Sequence, residues 1–155
     1  MRPRAKWPPL STLLTTDYRT ATMPYCLDTN IIVFCLRGKS AKAMKRIQSM
    51  PAEGLSVPMQ VMAELHVGAA KSAKPTGNRA AVDAFVMPFS IVWPDRLIAE
   101  HYASIRCAFE AIGKCISEAD LWIAATARSR GDVVVTNNVN EFSRVPGLAV
   151  ENWSR

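Results

Sequence analysis

Four acidic residues stand out because each follows or interrupts an apolar run. They are Asp28, Glu64, Asp120 and Glu141. Carboxylates that converge within about 4 to 6 Å repel one another and shift toward the protonated form, so an ionised cluster of them requires a cation. Ligand sets made only of oxygen favour Mg²⁺ or Mn²⁺ over zinc. If the fold brings the four side chains together, the chain is a metal-dependent enzyme and all four are candidate catalytic residues.

The cysteines and histidines give little support to other metal or redox chemistry. No two of the four cysteines form a C-x-x-C pair, and we interpret all four as reduced and structural. The two histidines, His66 and His101, lie far apart in helical patterns, which argues against a zinc site or a histidine-based triad. The sequence also lacks the glycine-rich P-loop motif, which excludes a nucleoside triphosphatase of that class.

The composition of the 155-residue chain predicts one compact domain. The chain is 49% hydrophobic and 21% charged, which is enough to bury one sizeable core. The formal net charge is +6, and half of it lies in residues 1–22, which contain four basic residues and one acidic residue. This charge is compatible with an anionic partner such as nucleic acid, but equally with a surface of solvated lysines.

Residues 1–22 differ in composition from the rest of the chain. They are rich in proline and threonine and show no sustained hydrophobic period, so we expect a disordered leader or a misassigned start, with the folded domain at 23–155. No apolar run of about 7 to 15 residues follows the basic start, which argues against a secretory signal. No stretch reaches the ~18 to 20 apolar residues of a membrane span. We therefore expect a cytoplasmic protein.

Predicted strands and helices alternate from Pro24 onward. Short apolar runs predict strands near residues 24–28, 55–57, 89–93, 133–135 and 148–150. The run of three valines at 133–135 is apolar throughout, as is typical of strands inside a parallel sheet. The pattern predicts an α/β fold, a three-layer α/β/α sandwich around a central parallel sheet.

Helical patterns fill the segments between these strands. The first helix is expected to begin at Ile31, with Thr29 or Asn30 as its cap, because their side-chain oxygens accept bonds from unpaired N–H groups. Residues 74–78 are expected to form a loop. An apolar stripe over residues 98–112 predicts one long helix with a buried face.

Two of the acidic residues belong to the predicted ligand-binding edge of the sheet. Ligands bind beyond the carboxyl ends of the strands in open parallel sheets, and Asp28 and the Thr136–Asn138 turn occupy such ends. Asp120 lies three residues after Ser117, a spacing that resembles a capping box at a helix N-terminus. Asp120 is thus either a ligand kept ionised by the helix end or only a cap.

For the other two acids, Glu64 and Glu141, the alternative to a place in the metal site is an exposed position without a role in catalysis. Glu64 lies mid-helix among apolar residues, where burial is costly unless the carboxylate is paired or metal-bound, and the alternative is a solvent-facing position. Gly68, one turn later, would leave open space beside it. Glu141 follows the Thr136–Asn138 turn and is either part of the cluster or an exposed loop residue. Thr136 and Asn138 are candidates to orient Asp28 or to hold a water.

Seven segments then occur in a characteristic order along residues 23 to 154. They are Met23–Ile32, Glu64–Gly68, Ile112–Gly113, Asp120–Ala125, Val135–Asn138, Glu141–Leu148 and Val150–Trp153. In this order and spacing they resemble the PIN-domain ribonucleases of the VapC toxin family. The resemblance implies a PIN-like fold and a Mg²⁺- or Mn²⁺-dependent endoribonuclease that cleaves structured RNA, such as loops of transfer or ribosomal RNA, with water as the nucleophile. It also implies a homodimer that a VapB-type antitoxin inhibits, in a heterotetramer or larger assembly.

The resemblance also assigns roles to individual residues. Asp28, Glu64, Asp120 and Glu141 match the catalytic acids of the family, and the first three match its metal ligands. The possible supporting polar residues are Thr29, Asn30, Thr136 and Asn138. Candidates for contacts with the RNA backbone are Lys39, Lys42, Lys45, Arg46, Lys71 and Lys74, which predicts salt-sensitive binding.

The chain departs from the family pattern in two places. The segment from Ala111 to Asp120 is longer than the corresponding stretch in many members, and Asn140 replaces the more usual basic residue before Glu141. The first departure keeps open an alternative, a catalytically inactive PIN-fold module that binds RNA or protein. A phosphatase or a phosphotransfer receiver is a weaker alternative, because a phosphatase requires an Asp-x-Asp pair and Asn30 stands at its second position.

Overall fold

The computed structural model describes residues 24–155, which form a five-stranded parallel sheet with the strand order β3-β2-β1-β4-β5. The strands are β1 Tyr25–Leu27, β2 Leu55–Pro58, β3 Ser90–Val92, β4 Val133–Val135 and β5 Ala149–Glu151. The helices are α1 Thr29–Leu36, α2 Ala41–Ser49, α3 Met59–Ala70, α4 Pro75–Val86, α5 Arg96–Ala111, α6 Glu118–Arg130 and α7 Val139–Phe142, with a 3₁₀ turn at Ala52–Gly54. The three-layer α/β/α prediction is confirmed.

The core lies where the central strands meet the buried helix α6. Strand β1 pairs with β4 in parallel, with Leu27 opposite Val135, so the carboxyl ends of both strands reach the same edge of the sheet. Strand β4 is buried at every position, as predicted for an interior strand. Helix α6 is buried from Ile123 to Ala127, because this part of the helix is apolar on nearly every side.

The start of α1 differs from the prediction. The helix begins at Thr29 rather than Ile31, and Asp28 occupies the N-cap position without forming a side-chain cap. The reason is competition for the side chains, because the Asp28 carboxylate accepts a hydrogen bond from Thr136 and the Thr29 hydroxyl donates to Glu64. The expected capping by Thr29 or Asn30 is therefore wrong.

The predicted loop at residues 74–78 is also wrong, since α4 begins at Pro75. Proline suits the first helical position because its missing N–H would have no partner there. Val82 and Val86 of the same helix are buried. Packing supplies most of the stability of a short helix, so the burial of these two valines outweighs the low helix propensity of Gly77.

Two further expectations for apolar residues fail at the surface. Helix α5 ends at Ala111, so Ile112 leaves the predicted apolar stripe and is 66% exposed. All four cysteines are free, as predicted, but Cys107 and Cys115 are exposed rather than structural core residues. The buried pair is Cys26 and Cys35.

The disordered leader predicted for residues 1–22 lies outside the described residues. Between Pro24 and Arg155, none of the helices combines the length and the apolar character that crossing a bilayer requires.

Candidate metal-dependent active site

Asp28 forms the buried centre of the site at the carboxyl end of β1. Its side chain is 1% exposed, and its backbone N–H donates to the Val135 carbonyl at 3.1 Å. The pairing of β1 with β4 brings Thr136 beside it, and the Thr136 hydroxyl donates to Asp28 Oδ2 at 2.6 Å. The same hydroxyl oxygen accepts the Asn138 N–H at 2.9 Å. Thr136 therefore orients the Asp28 carboxylate, as proposed from the sequence.

The surroundings of Asp28 disfavour its charged form. Burial raises the pKa of Asp28 to about 6, although the hydrogen bonds from the Thr136 hydroxyl and the Thr29 backbone work in the opposite direction. The carboxylates of Asp120 and Glu64 raise this pKa further. Asp120 and Glu64 therefore act on Asp28 through their negative charge.

Asp120 enters the site from the first turn of α6. Its backbone N–H donates to Ser117 Oγ at 3.1 Å, which confirms the predicted cap at the start of this helix. Partial burial raises the pKa of Asp120, a hydrogen bond with Ser117 lowers it, and the carboxylates of Glu64 and Glu141 raise it. Asp120 is thus coupled electrostatically to the other three acids, and Ser117 is the residue that caps the helix.

Glu64 reaches the site from the middle of α3. It is solvent-exposed, which was the alternative to a buried position. The Thr29 hydroxyl donates a hydrogen bond to Glu64 Oε2 and fixes the carboxylate near the start of α1. Gly68 leaves open space one turn later, as expected, because both residues line a groove of about 190 Å³ between α1, α3 and α4.

Glu141 completes the group from the short helix α7. It raises the pKa of Asp120, so it faces the same region. Arg144 Nη1 donates to Glu141 Oε2 at 2.9 Å, which gives this one acid its own cation. Arg144 was not predicted from the sequence, although its i, i+3 spacing from Glu141 is a signal that would have identified it.

We call Asp28, Glu64, Asp120 and Glu141 the acidic cluster. No lysine or arginine within residues 24–155 forms an ion pair with the first three members. Over that same range, no three histidine, cysteine, aspartate or glutamate side chains lie close enough together to form a complete metal site. Mg²⁺ usually binds one or two carboxylates and keeps several waters, so an open set of oxygen donors around a buried aspartate fits this ion or Mn²⁺.

The other predicted supporting residues, Thr29, Asn30 and Asn138, differ in the hydrogen bonds that they form. Thr29 contacts Glu64 directly. Asn30 is exposed, and its side chain has no hydrogen-bond partner within the described part of the chain. Asn138 reaches Thr136 through its backbone N–H, so its side chain is available for another contact.

The basic residues predicted to bind RNA divide into two groups. Arg46 pairs with Glu151 at 2.8 Å and lies 4.4 Å from the centre of the Trp153 ring, and Lys42 donates to the Arg155 carbonyl. These contacts give Arg46 and Lys42 a structural role in holding the end of the chain. The other four are exposed and form neither an ion pair nor a side-chain hydrogen bond with any other described residue: Lys39, Lys45, Lys71 and Lys74.

Comparison with known proteins defines the class to which this fold and site belong. Residues 25–148 match the PIN domain family. The DNA-bound VapBC complex of Salmonella typhimurium contains a chain with a TM-score of 0.80 and 33% identity, covering 85% of this chain and 99% of that one. A chain of VapBC-1 from nontypeable Haemophilus influenzae matches with a TM-score of 0.78 and 30% identity, covering 86% and 100%.

Curated relatives narrow the class further. Ribonuclease VapC2 of Haemophilus influenzae is 36% identical over 131 residues, which cover 84% of this chain and 98% of the relative. The tRNA(fMet)-specific endonuclease VapC of Shigella flexneri is 36% identical over 132 residues, covering 85% and 99%. The chain belongs to the VapC family of PIN-domain ribonucleases.

Proposed function

We propose that the protein is a Mg²⁺- or Mn²⁺-dependent endoribonuclease toxin that cleaves structured RNA, with loops of transfer or ribosomal RNA as its substrates. The observation that carries the proposal is the acidic cluster, because three of its four carboxylates couple electrostatically without an ion-pair partner among residues 24–155. A divalent cation stabilises carboxylates that raise one another's pKa in this way, above all the buried Asp28.

Asp28, Asp120 and Glu64 are the residues proposed to hold the cation. When bound, the ion supplies positive charge that polarises the phosphodiester and makes water a nucleophile near neutral pH. Thr136 keeps the Asp28 carboxylate in one orientation, and Thr29 does the same for Glu64. Water then attacks phosphorus directly, so the ribose 2′-hydroxyl takes no part and the products carry 5′-phosphate and 3′-hydroxyl ends.

A transfer RNA is the substrate we favour. The relatives from Shigella flexneri and Salmonella typhimurium are both named as tRNA(fMet)-specific endonucleases. RNA loops present unstacked bases that a protein can bind, whereas the grooves of paired RNA hide most base edges. Lys39, Lys45, Lys71 and Lys74 are the proposed contacts to the phosphates, and Lys42 and Arg46 contribute less because of their structural contacts. RNA as the substrate also places the protein in the cytoplasm.

The experiment that tests this activity is induced expression followed by mapping of RNA 5′ ends. The wild-type protein should generate new ends, and Asp120→Asn should not. Glu118→Gln is the matched control, since Glu118 lies on the same turn of α6 but contacts Tyr102 and Arg106 instead of the acidic cluster. New ends that persist with Asp120→Asn, or cleavage by the purified protein in excess chelator, would refute the proposal.

A VapB-type antitoxin is the proposed protein partner. Several structural neighbours are toxin–antitoxin complexes, including the two VapBC structures above. The groove beside Glu64 offers a largely apolar wall that includes Val33, Leu36 and Leu65, which suits an apolar segment of such a partner. Ala81→Arg, a change on the rim of this groove, should weaken antitoxin binding while RNA cleavage by the free protein continues. Unchanged affinity for the antitoxin would exclude the groove as its site.

A homodimer is the proposed state of the free protein. Residues 24–155 expose several large apolar side chains, which are Val67, Met87, Trp93, Leu97 and Ile112. Exposed residues of this kind mark interaction surfaces when they form a patch. Sedimentation analysis should find a dimer that Trp93→Lys weakens, and a wild-type monomer at high concentration would exclude it.

A further inference from the structure

A second pocket, lined mainly by amides, lies beyond the carboxyl ends of β4 and β5. We call it the asparagine pocket, and its volume is about 330 Å³. That size falls within the range of small-ligand sites. Its polar side chains are Asn137, Asn138, Asn140 and Asn152, with Arg155 at the rim, and its apolar surface comes from Val139 and Val150. The lining contains no carboxylate, in contrast to the neighbouring acidic cluster.

Hydrogen bonds to Ser154 fix two of these amides in one orientation. The Ser154 backbone N–H donates to Asn152 Oδ1 at 2.8 Å, and the Ser154 hydroxyl donates to Asn137 Oδ1. Because both carbonyl oxygens are engaged, the two Nδ2 groups are the available donors, and neither has a partner among the described residues. The side-chain amides of Asn138 and Asn140 likewise form no hydrogen bond between residues 24 and 155, so the pocket offers both donors and acceptors.

The pocket adjoins the acidic cluster through Thr136. The Thr136 hydroxyl donates to Asp28 and accepts the N–H of Asn138, so two successive hydrogen bonds connect the wall of the pocket to a buried acid of the cluster. Helix α7 carries Asn140 on the pocket side and Glu141 toward Asp120. A ligand in this pocket therefore lies next to whatever the acidic cluster binds.

We propose that the asparagine pocket binds one unpaired nucleobase of an RNA strand, with a preference for adenine. An asparagine amide can bind adenine through two hydrogen bonds, because its Oδ1 accepts from the N6 amino group and its Nδ2 donates to N7. The valine side chains supply an apolar surface for the face of the base. The placement of this base beside the cleaved phosphate rests on the proposed nuclease function, whereas binding of the base itself does not. The pocket thereby selects the sequence next to the cut.

The test compares single-stranded RNAs that carry the same phosphates but different bases. Oligomers of about seven nucleotides, made of adenosine, uridine or abasic ribose, are titrated against the Asp120→Asn protein, and binding is followed by fluorescence anisotropy. This variant avoids cleavage during the measurement. The adenosine oligomer should bind about tenfold more tightly than the abasic one, with uridine between them. Equal affinities for all three would overturn the proposal.

Paired substitutions separate base binding from folding. Asn137→Asp with Asn152→Asp keeps the oxygen acceptors for Ser154 but removes both Nδ2 donors, and it should abolish the preference for adenosine over the abasic oligomer. Asn78→Asp is the matched control, because Asn78 lies on α4 and outside the asparagine pocket. The control should retain the preference. A preference that survives in the double variant would refute the pocket as its source.

A labelling experiment needs no substitution in the pocket. An oligomer containing 8-azidoadenosine is photo-crosslinked to the Asp120→Asn protein, and the adduct should map within residues 137–155. An adduct confined to other segments would overturn the assignment. The outcomes also separate this proposal from the nuclease itself. Base preference without new RNA ends in the wild type would refute only the nuclease, and new ends without base preference would refute only the pocket.

Discussion

Two buried aspartates at opposite ends of the central strands have contrasting surroundings. Asp132 precedes β4 and is 2% exposed, and Asp28 follows β1 and is 1% exposed. Arg130 Nε donates to Asp132 Oδ2 at 2.9 Å, and Ser56 Oγ donates to the same oxygen at 3.2 Å. Asp28 accepts a hydroxyl and a backbone N–H, and the charged groups coupled to it are the acids Asp120 and Glu64.

The difference separates a carboxylate with a structural role from one that we propose to be functional. Burial of a charge is tolerated when a cation and hydrogen bonds compensate it, as Arg130 and Ser56 do for Asp132. The end of the sheet that holds Asp28 lacks such a cation among residues 24–155, and further acids crowd it. The unfavourable charge of the acidic cluster is thus an arrangement that binding of a divalent ion would relieve.

The largest expected effect is on catalysis. Asp28→Asn should lower the rate of RNA cleavage by about 10³-fold or more, because a divalent ion contributes several kcal/mol of transition-state stabilisation and the variant removes one of its ligands. Asp132→Asn, at the other end of the sheet, should leave the rate of the folded protein close to that of the wild type. Single-turnover cleavage of a mapped RNA substrate measures both. A similar loss of cleavage rate in both variants would contradict the distinction between Asp28 and Asp132.

A smaller loss of activity is expected when only the orientation of Asp28 changes. Thr136→Val keeps the shape of a fully buried side chain but removes the hydroxyl that donates to Asp28, and activity should fall about 10- to 100-fold. Thr126→Val is the matched control, since that buried hydroxyl bonds the Trp122 carbonyl within α6. The ratio of the two cleavage rates at saturating Mg²⁺ checks the effect, and equal rates would exclude a positioning role for Thr136.

The stability of the metal-free protein should change in the opposite direction from its activity. Asp28 has a pKa of about 6 in the folded chain against 3.8 as the ordinary value, so the folded state holds its proton more tightly. Its stabilising contribution is complete below pH 3.8 and is lost as the pH rises through 6. Asp28→Asn removes this cost, and in chelator at pH 7 it should raise the free energy of unfolding by up to about 3 kcal/mol.

Urea denaturation at several pH values measures this gain. The advantage of Asp28→Asn over the wild type should shrink steadily from pH 7 to pH 4, where the wild-type carboxyl is protonated as well. Added Mg²⁺ should stabilise the wild type and have little effect on the variant. A variant that is less stable than the wild type at pH 7 in chelator would contradict the idea that Asp28 is a functional carboxylate held at a cost.

Much of the acidic cluster was predictable because strand ends and helix starts have clear sequence patterns. Asp28 follows an apolar run, and Ser117 lies three residues before Asp120, so local rules place both. The exposure of Glu64 was not predictable, because one helical turn of apolar neighbours does not determine which side faces the sheet. The structural contacts of Lys42 and Arg46 were missed for a different reason. Their partners lie about a hundred residues away, at the end of the chain.

Contacts between residues on different strands also cannot be predicted from local sequence patterns. The compensated environment of Asp132 depends on Ser56, 76 residues away, which reaches it only because β2 pairs with β1 and β1 pairs with β4. The asparagine pocket likewise joins Asn137 to Asn152 through Ser154. In the sequence these residues are isolated polar side chains, and their contacts can be recognised only when the strand order is known.

The smallest effect is expected at Asp132. Asp132→Asn keeps an oxygen acceptor for Arg130 and Ser56 but removes the charge that Arg130 compensates. Its amide nitrogen takes the buried position of Oδ1, which has no hydrogen-bond partner among the described residues. The free energy of unfolding should fall by about 1 to 3 kcal/mol, the usual cost of a buried polar group without a partner. Arg130→Gln should cause a smaller loss, because Arg130 is about 42% exposed and water screens its charge. If Asp132→Asn instead stabilised the metal-free protein as Asp28→Asn is expected to, both ends of the sheet would hold uncompensated carboxylates and the contrast between them would be lost.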